Sequence, residues 1–275
     1  MKSRNYLQFL THIFWLILPR KLQLNLLYHK AKKSFPATPS NTRSTLAALV
    51  NHRASLCRFG DGEFDIMLMI DKEKDKYQKG SHELSRRLIQ ILATPSENRL
   101  LVAIPPITPE IFHLDKRIKS LPFWKWYYAS RFNLIEPYLT ANYYFNAMVS
   151  RYPVFFENEL SEIKKIWEGR DVLFIYGKGS RFSMDPRLFS NVSSVSVEYC
   201  LPTNAFDEYD DLLQRASTYA KHYLVLISAG PTATVLAYDL HHLGFQAIDL
   251  GHLPASYQQY MGEIASPERL PMEIK

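Results

Sequence analysis

Four short apolar runs constrain the fold of this chain more than any other feature: Leu100 to Ile104, Val172 to Tyr176 (VLFIY), Leu224 to Ser228 (LVLIS) and Ala247 to Leu250. Each is too short for a buried helix, and none alternates with polar residues as a half-exposed strand would. Continuous apolar strands belong to a parallel sheet covered on both faces. The intervening segments fit that arrangement. Helices are expected at Arg43 to His52, Glu83 to Ala93, Phe206 to Tyr219 and Thr232 to Leu243, the last closed by Gly244. Further strands are expected at Ser55 to Phe59 and Ser194 to Val197. The pattern predicts an α/β fold, a Rossmann-like and mostly parallel sheet with helices on both faces. Thr108 to Phe156 interrupts the rhythm with Trp124, Trp126, Tyr127, Tyr128, Phe132 and several more aromatics, which read as the core of an inserted helical layer or as a ring-binding cleft.

Charge separates the chain into two parts. Overall it carries 33 Lys+Arg against 27 Asp+Glu in 275 residues, a formal +6. No acid precedes Asp61, and ten of the cations fall before it, so the remainder is net acidic, with 23 basic residues against all 27 acids. A basic excess confined to one end is no footprint for nucleic acid, which needs clustered cations on a folded face. Residues 1–40 are therefore read as a basic, apolar arm and linker, and residues 41–275 as the folded domain. Within the arm, Tyr6 to Leu18 is apolar between Lys2/Arg4 and Arg20/Lys21, but it meets Pro19 well short of the roughly 20 residues a helical span needs. No small-residue cleavage site follows, so it is not read as a signal peptide. An N-terminal apolar helix is expected here. Phe9, Ile13, Phe14, Trp15 and Leu16 suit a peripheral membrane contact through residues 1–33; the plainer alternatives are packing on the domain itself or on the second subunit of a homodimer. Cys57 and Cys200 form no CxxC pair, so neither a disulfide framework nor a zinc site is indicated, and the expected location is cytoplasmic, at the inner face of the membrane if the arm binds lipid.

Four strand ends carry glycine beside polar groups. After the first strand comes Arg58-Phe59-Gly60-Asp61-Gly62-Glu63, in which Asp61 and Glu63, spaced i, i+2, form a carboxylate pair suited to Mg²⁺ or Mn²⁺ on a diphosphate, with Arg58 as a phosphate fork. After Val172 to Tyr176 comes Gly177-Lys178-Gly179-Ser180-Arg181, a loop with backbone N–H groups and two cations for phosphate. After Leu224 to Ser228 comes Gly230-Pro231-Thr232, the start of a helix whose first N–H groups can meet an anion. The last strand ends in Asp249-Leu250-Gly251-His252, with His252 a candidate metal ligand or substrate contact. Each motif has a plainer reading as a turn or cap. Their convergence on one sheet edge points to a metal-assisted site for a nucleotide diphosphate compound.

The same runs, with Trp167-Glu168-Gly169-Arg170-Asp171-Val172-Leu173, Asn204-Ala205-Phe206-Asp207 and Gly230 to Leu240, resemble the GT-D fold glycosyltransferase family across about residues 41 to 260. The resemblance implies a bacterial transferase that moves a sugar from a nucleotide donor, typically UDP-glucose, to a glycan or lipid-linked acceptor, with a metal-dependent D-x-E motif. It gives Asp61 and Glu63 the metal and donor role, and makes Gly177 to Arg181 and Gly230 to Thr232 nucleotide contacts. Two departures stand out. Lys178 occupies a position that is usually acidic in the family, and the acids usual after Gly-His are replaced by Leu253-Pro254-Ala255-Ser256-Tyr257. These departures keep open a non-catalytic nucleotide-sugar-binding subunit that docks a partner transferase, and the carboxylates alone would also suit a phosphohydrolase.

Overall fold

The computed structural model describes residues 19–70, 77–97, 99–108 and 120–272. Its centre is one sheet of seven strands: β1 (Ser55–Arg58), β2 (Leu100–Ile104), β3 (Phe145–Asn146), β4 (Asp171–Gly177), β5 (Ser194–Cys200), β6 (Leu224–Ser228) and β7 (Gln246–Asp249). They lie in the order β3-β2-β1-β7-β6-β4-β5, and every pairing is parallel. The α/β expectation holds, and β3 is the strand that it lacked.

Alternation along the strands divides the interior into two layers. Leu173 and Ile175 of β4, with Val225 and Ile227 of β6, face one cluster that also receives Leu84, Tyr127, Leu212 and Leu236 from the helices His82–Ala93, Ser120–Ile135, Tyr209–Ser217 and Pro231–His242. Val172, Phe174, Leu224 and Leu226 face the other cluster, closed by Leu49, Phe155, Ile163, Leu188 and Tyr257 from shorter helices. With both faces apolar, polar chemistry is displaced to the strand ends. The connection after β4 leaves towards β5, and that after β6 returns towards β7. Where neighbouring connections diverge, a crevice opens beyond the carboxyl ends.

The aromatic segment is built into the core. Trp124, Tyr127, Tyr128 and Phe132 of the Ser120–Ile135 helix are buried, while Phe123 and Trp126 remain exposed. The helix Arg20–Ser34 packs against this one. Tyr28 and Ala31 are buried there, and Tyr28 Oη donates to the Ile107 carbonyl at 2.6 Å. Phe35, in the stretch read as linker, stacks 5.6 Å from Phe132. The apolar run Tyr6 to Leu18 lies outside the described residues. Among those described, no helix is long and apolar enough to cross a membrane.

Phe174 shows how tightly the second layer is packed: its ring lies 4.9 Å from Phe189 and 5.9 Å from Phe182, and it has no exposed surface. Phe174→Ala is expected to cost about 3–5 kcal/mol in chemical denaturation, from lost transfer energy and the cavity left behind. A loss below about 1 kcal/mol would show that the two layers close around the gap.

Candidate active site

A cavity of about 350 Å³ sits beyond the carboxyl ends of β1, β4, β6 and β7, within the range of small-ligand sites. Arg58, the last residue of β1, is its anchor. The side chain is only 12% exposed, with Nε 3.7 Å from Asp249 Oδ1. Burial works against its charge, but Asp249, Glu63 and Asp61 outweigh that and push its pKa up. Asp249, itself buried, is held by the Gly251 N–H, which donates to Oδ1 at 3.0 Å. Thr234 Oγ1 lies between the Arg58 carbonyl (2.8 Å) and Asp249 Oδ2 (3.1 Å). Gly251 has a left-handed φ of +52°, and a Cβ there would meet the Arg58 guanidinium at 3.0–3.2 Å. Only glycine lets the chain turn there and still leaves room for the arginine.

The Asp61-Gly62-Glu63 run opens a helix, Asp61–Met67, instead of an extended loop. The carboxylates are therefore placed by helical geometry, two residues apart on the first turn. The Gly60 N–H donates to Glu63 Oε2 at 2.7 Å, and the Glu63 side chain is buried. Burial pushes the Glu63 pKa up to about 7; Arg58 opposes the shift, while Asp249 and Asp61 add to it. Asp61 makes no ion pair with a described residue. Tyr127 fixes this turn from the aromatic layer, with Oη 3.0 Å from Asp65 Oδ1 and 3.3 Å from the Asp61 carbonyl.

Of the glycine loop after β4, Gly177, Ser180 and Arg181 line the cavity. At Gly177 a Cβ would sit 2.5 Å from Pro202 Cα, so this glycine allows the chain leaving β5 to cross close by. Lys178, expected beside the diphosphate, lies elsewhere: it is exposed, with Nζ 5.7 Å above the Tyr199 ring. Gly179 serves the turn with φ +77° and is not among the lining residues. Gly230 and Pro231 line the cavity, whereas Thr232 is fully buried behind that wall and donates to Gln78 Oε1 at 3.1 Å. A hydroxyl turned into the core supports the wall and does not reach a ligand.

His252 is brought to the cavity as expected, with an unusual electrostatic setting. Burial, then Arg151, Arg58 and Arg181, push its pKa down to about 3, with Glu268 opposing. The imidazole is therefore a neutral hydrogen-bonding group. Sequence reasoning missed Tyr77, Arg151 and Glu268, which also line the cavity. The Arg181 guanidinium lies 4.8 Å from the Tyr77 ring centre, and that ring is edge-on to His252 at 6.4 Å. Of the arginines that line the cavity, Arg58 and Arg181 each have a buried Nε with no hydrogen-bond acceptor among the described residues. Buried donors of this kind are costly unless a partner arrives.

As a metal site the two carboxylates are incomplete. Among the described residues no three His, Cys, Asp or Glu side chains group to hold a metal by themselves. Asp61 and the second oxygen of Glu63 supply two donors at most. Such a set fits a hard cation only where phosphate oxygens and water complete it, which is the habit of Mg²⁺.

The Glycosyltransferase GT-D fold family matches residues 56–274. The chain belongs to this family. Among curated proteins, Glycosyltransferase GlyD of Streptococcus pneumoniae is 31% identical over 220 residues, covering 78% of this chain and 26% of that protein. The probable glycosyl transferase Gly of Streptococcus gordonii is 29% identical, covering 78% of this chain and 32% of its own length. The chain thus spans no more than a third of either relative. Among solved structures, a domain of unknown function 1792 with a distinct glycosyltransferase fold superposes with a TM-score of 0.77 at 30% identity, covering 92% of this chain and 90% of its own. A glycosyltransferase of that domain type from Streptococcus sanguinis gives 0.73 at 27% identity, covering 84% of this chain and 86% of its own.

The His252 setting predicts a pH response. Its folded pKa, about 3, lies below the ordinary 6.5, so the neutral ring contributes stability that is complete above pH 6.5 and is lost as pH falls towards 3. In ¹⁵N NMR of the folded chain the His252 ring is expected to stay neutral at pH 5. A titration midpoint near 6.5 would show that neither burial nor the three arginines act on it.

Proposed function

We propose that this GT-D family chain transfers a hexose from a UDP-sugar, UDP-glucose or a close analogue, to a glycan or lipid-linked glycan acceptor. The observation that carries the reading is the pair of buried guanidinium N–H groups, Arg58 Nε and Arg181 Nε, that lack a hydrogen-bond acceptor among the described residues in a cavity at the diverging strand ends. Charge-assisted bonds to diphosphate oxygens would satisfy both. The helix starts at Asp61 and at Pro231 add positive dipole ends facing the same cavity.

In the transfer, the acceptor hydroxyl oxygen forms a bond to the anomeric carbon and gives its proton to a general base or to solvent, while the bond from that carbon to the β-phosphate oxygen breaks. The electron pair leaves with the diphosphate, and Arg58 and Arg181 are placed to meet the charge that gathers there. Arg58 is held rigid by Asp249, Thr234 and Gly251, so its donors need little reorganisation as that charge develops. Asp61 and Glu63 would hold Mn²⁺ or Mg²⁺, whose contribution when bound is to neutralise the leaving diphosphate. His252, neutral and beside the arginines, offers a hydrogen bond without adding charge.

Calorimetric titration with UDP, with and without Mn²⁺, tests this reading. Binding is expected to strengthen with Mn²⁺, and Asp61→Asn or Glu63→Gln to weaken the Mn²⁺-dependent part by about tenfold or more. UDP binding that ignores both the metal and the substitutions would remove the metal role. Absence of UDP binding would remove the donor assignment.

The arm supports a peripheral membrane contact at the inner face of the cell membrane. Leu22 and Leu26 are exposed on the Arg20–Ser34 helix, which also carries Lys21, Lys30, Lys32 and Lys33. Because Tyr28 and Ala31 belong to the core, the test truncates only residues 1–18. Sedimentation with vesicles containing phosphatidylserine is expected to fall while UDP affinity is unchanged; equal sedimentation of both chains would remove residues 1–18 from the contact.

A further inference from the structure

Two ionisable groups enter the cavity from segments that no strand-end motif marks. Arg151 follows the 3₁₀ turn Ala147–Ser150, directly beyond β3, and Glu268 lies in the 3₁₀ turn Pro267–Arg269 near the end of the chain. Arg151 Nη2 donates to Glu268 Oε1 at 2.9 Å, the two side chains being 29% and 54% exposed. Both line the cavity together with Arg58, Arg181 and His252. The three guanidinium fields converge on one imidazole, and that of Arg151 is the strongest of them.

A single bond between half-exposed partners is a weak ion pair. It uses one donor of a guanidinium that has five, in a fork shaped for paired bonds to phosphate. The pair therefore places an exchangeable anion on an arginine beside two buried guanidinium groups that lack acceptors. We propose that Arg151 is a third arginine of the nucleoside diphosphate site, and that Glu268 is the anion occupying it until the diphosphate displaces it. This rests on reading the cavity as a UDP-sugar site. In that exchange the diphosphate gains a third guanidinium, and the Glu268 carboxylate, already half exposed, returns to water. Glu268 would then lower affinity for the free nucleotide while keeping Arg151 positioned at the cavity.

The experiment is calorimetric titration of the full chain and its variants with UDP, with uridine as the phosphate-free control. Arg151→Gln is expected to weaken UDP binding about tenfold or more, as the loss of a charge-assisted bond implies, and to leave uridine binding unchanged. Glu268→Gln is expected to tighten UDP binding roughly two- to fivefold, the opposite of what a merely structural ion pair would give. In the double variant, removal of Glu268 is expected to bring no gain once Arg151 is gone. A gain of the same size in both backgrounds would mean that Glu268 acts through its general field, and would overturn the exchange. Wild-type binding with Arg151→Gln unaltered, or with Glu268→Gln no tighter, overturns the inference alone. A wild-type chain that does not bind UDP overturns the functional reading, and this inference with it.

Discussion

A buried arginine at the carboxyl end of β1 sets the terms for everything around it. Taking a guanidinium out of water is expensive, and an apolar replacement of similar volume is often at least as stable. Here the cost is met by a group of neighbours that have little other purpose. Asp249 ends β7 beside Arg58, Thr234 bridges the two from the central helix, and Gly251 gives up its side chain so that the guanidinium fits. One donor, Nε, is still left without an acceptor. A core built for stability alone would not retain such an arrangement. A site awaiting an anion would, because the unpartnered N–H then becomes a bond formed on binding.

The sheet explains why this chemistry was readable from sequence. A parallel sheet covered on both faces requires unbroken apolar runs, and these locate the strand ends to within a residue or two. The departures from apolarity immediately afterwards, at Arg58, Gly177, Gly230 and Asp249, then mark one edge of the sheet. What escaped has a different physical origin. Gly60-Asp61-Gly62 reads as a turn because glycine disfavours helix, yet the Glu63 carboxylate satisfies the Gly60 N–H and starts one. Side-chain direction at Lys178 and Thr232 depends on what packs beside them, Tyr199 and Gln78, and neither neighbour is local in sequence. Arg151 and Glu268 sit in short 3₁₀ turns with no periodicity to reveal them.

The two departures from the family pattern acquire a structural account. A cation at Lys178 is tolerated because its side chain lies over Tyr199, outside the cavity, so the reversed charge does not fall within it. The residues after Gly251-His252 form a helix, Leu253–Tyr260, that buries Ala255 and places Leu253 and Tyr257 in the second layer. Acids on those buried positions would have to be desolvated. The chain returns to the cavity further on, where Glu268 meets Arg151, while Glu263 pairs with Arg187 at 2.5 Å and ties the same segment down.

Charge accounting at the cavity then limits how a donor can enter. Arg58, Arg151 and Arg181 face Asp61, Glu63, Asp249 and Glu268, so the site is close to neutral before any ligand arrives. Asp249 is held at Arg58, and Glu268 pairs with Arg151. Glu63 and Asp249 are both shifted upward mainly by burial, which shows that the site already strains to hold its negative charge. A diphosphate adds further negative charge, and in a partly desolvated cavity that repulsion is stronger than in water. Under the proposed function, donor binding would be favoured when positive charge arrives with the nucleotide at Asp61 and Glu63, or when Glu268 gives up Arg151. Both routes would make the cavity less negative: one would add a cation beside Asp61 and Glu63, the other would release the Glu268 carboxylate to water.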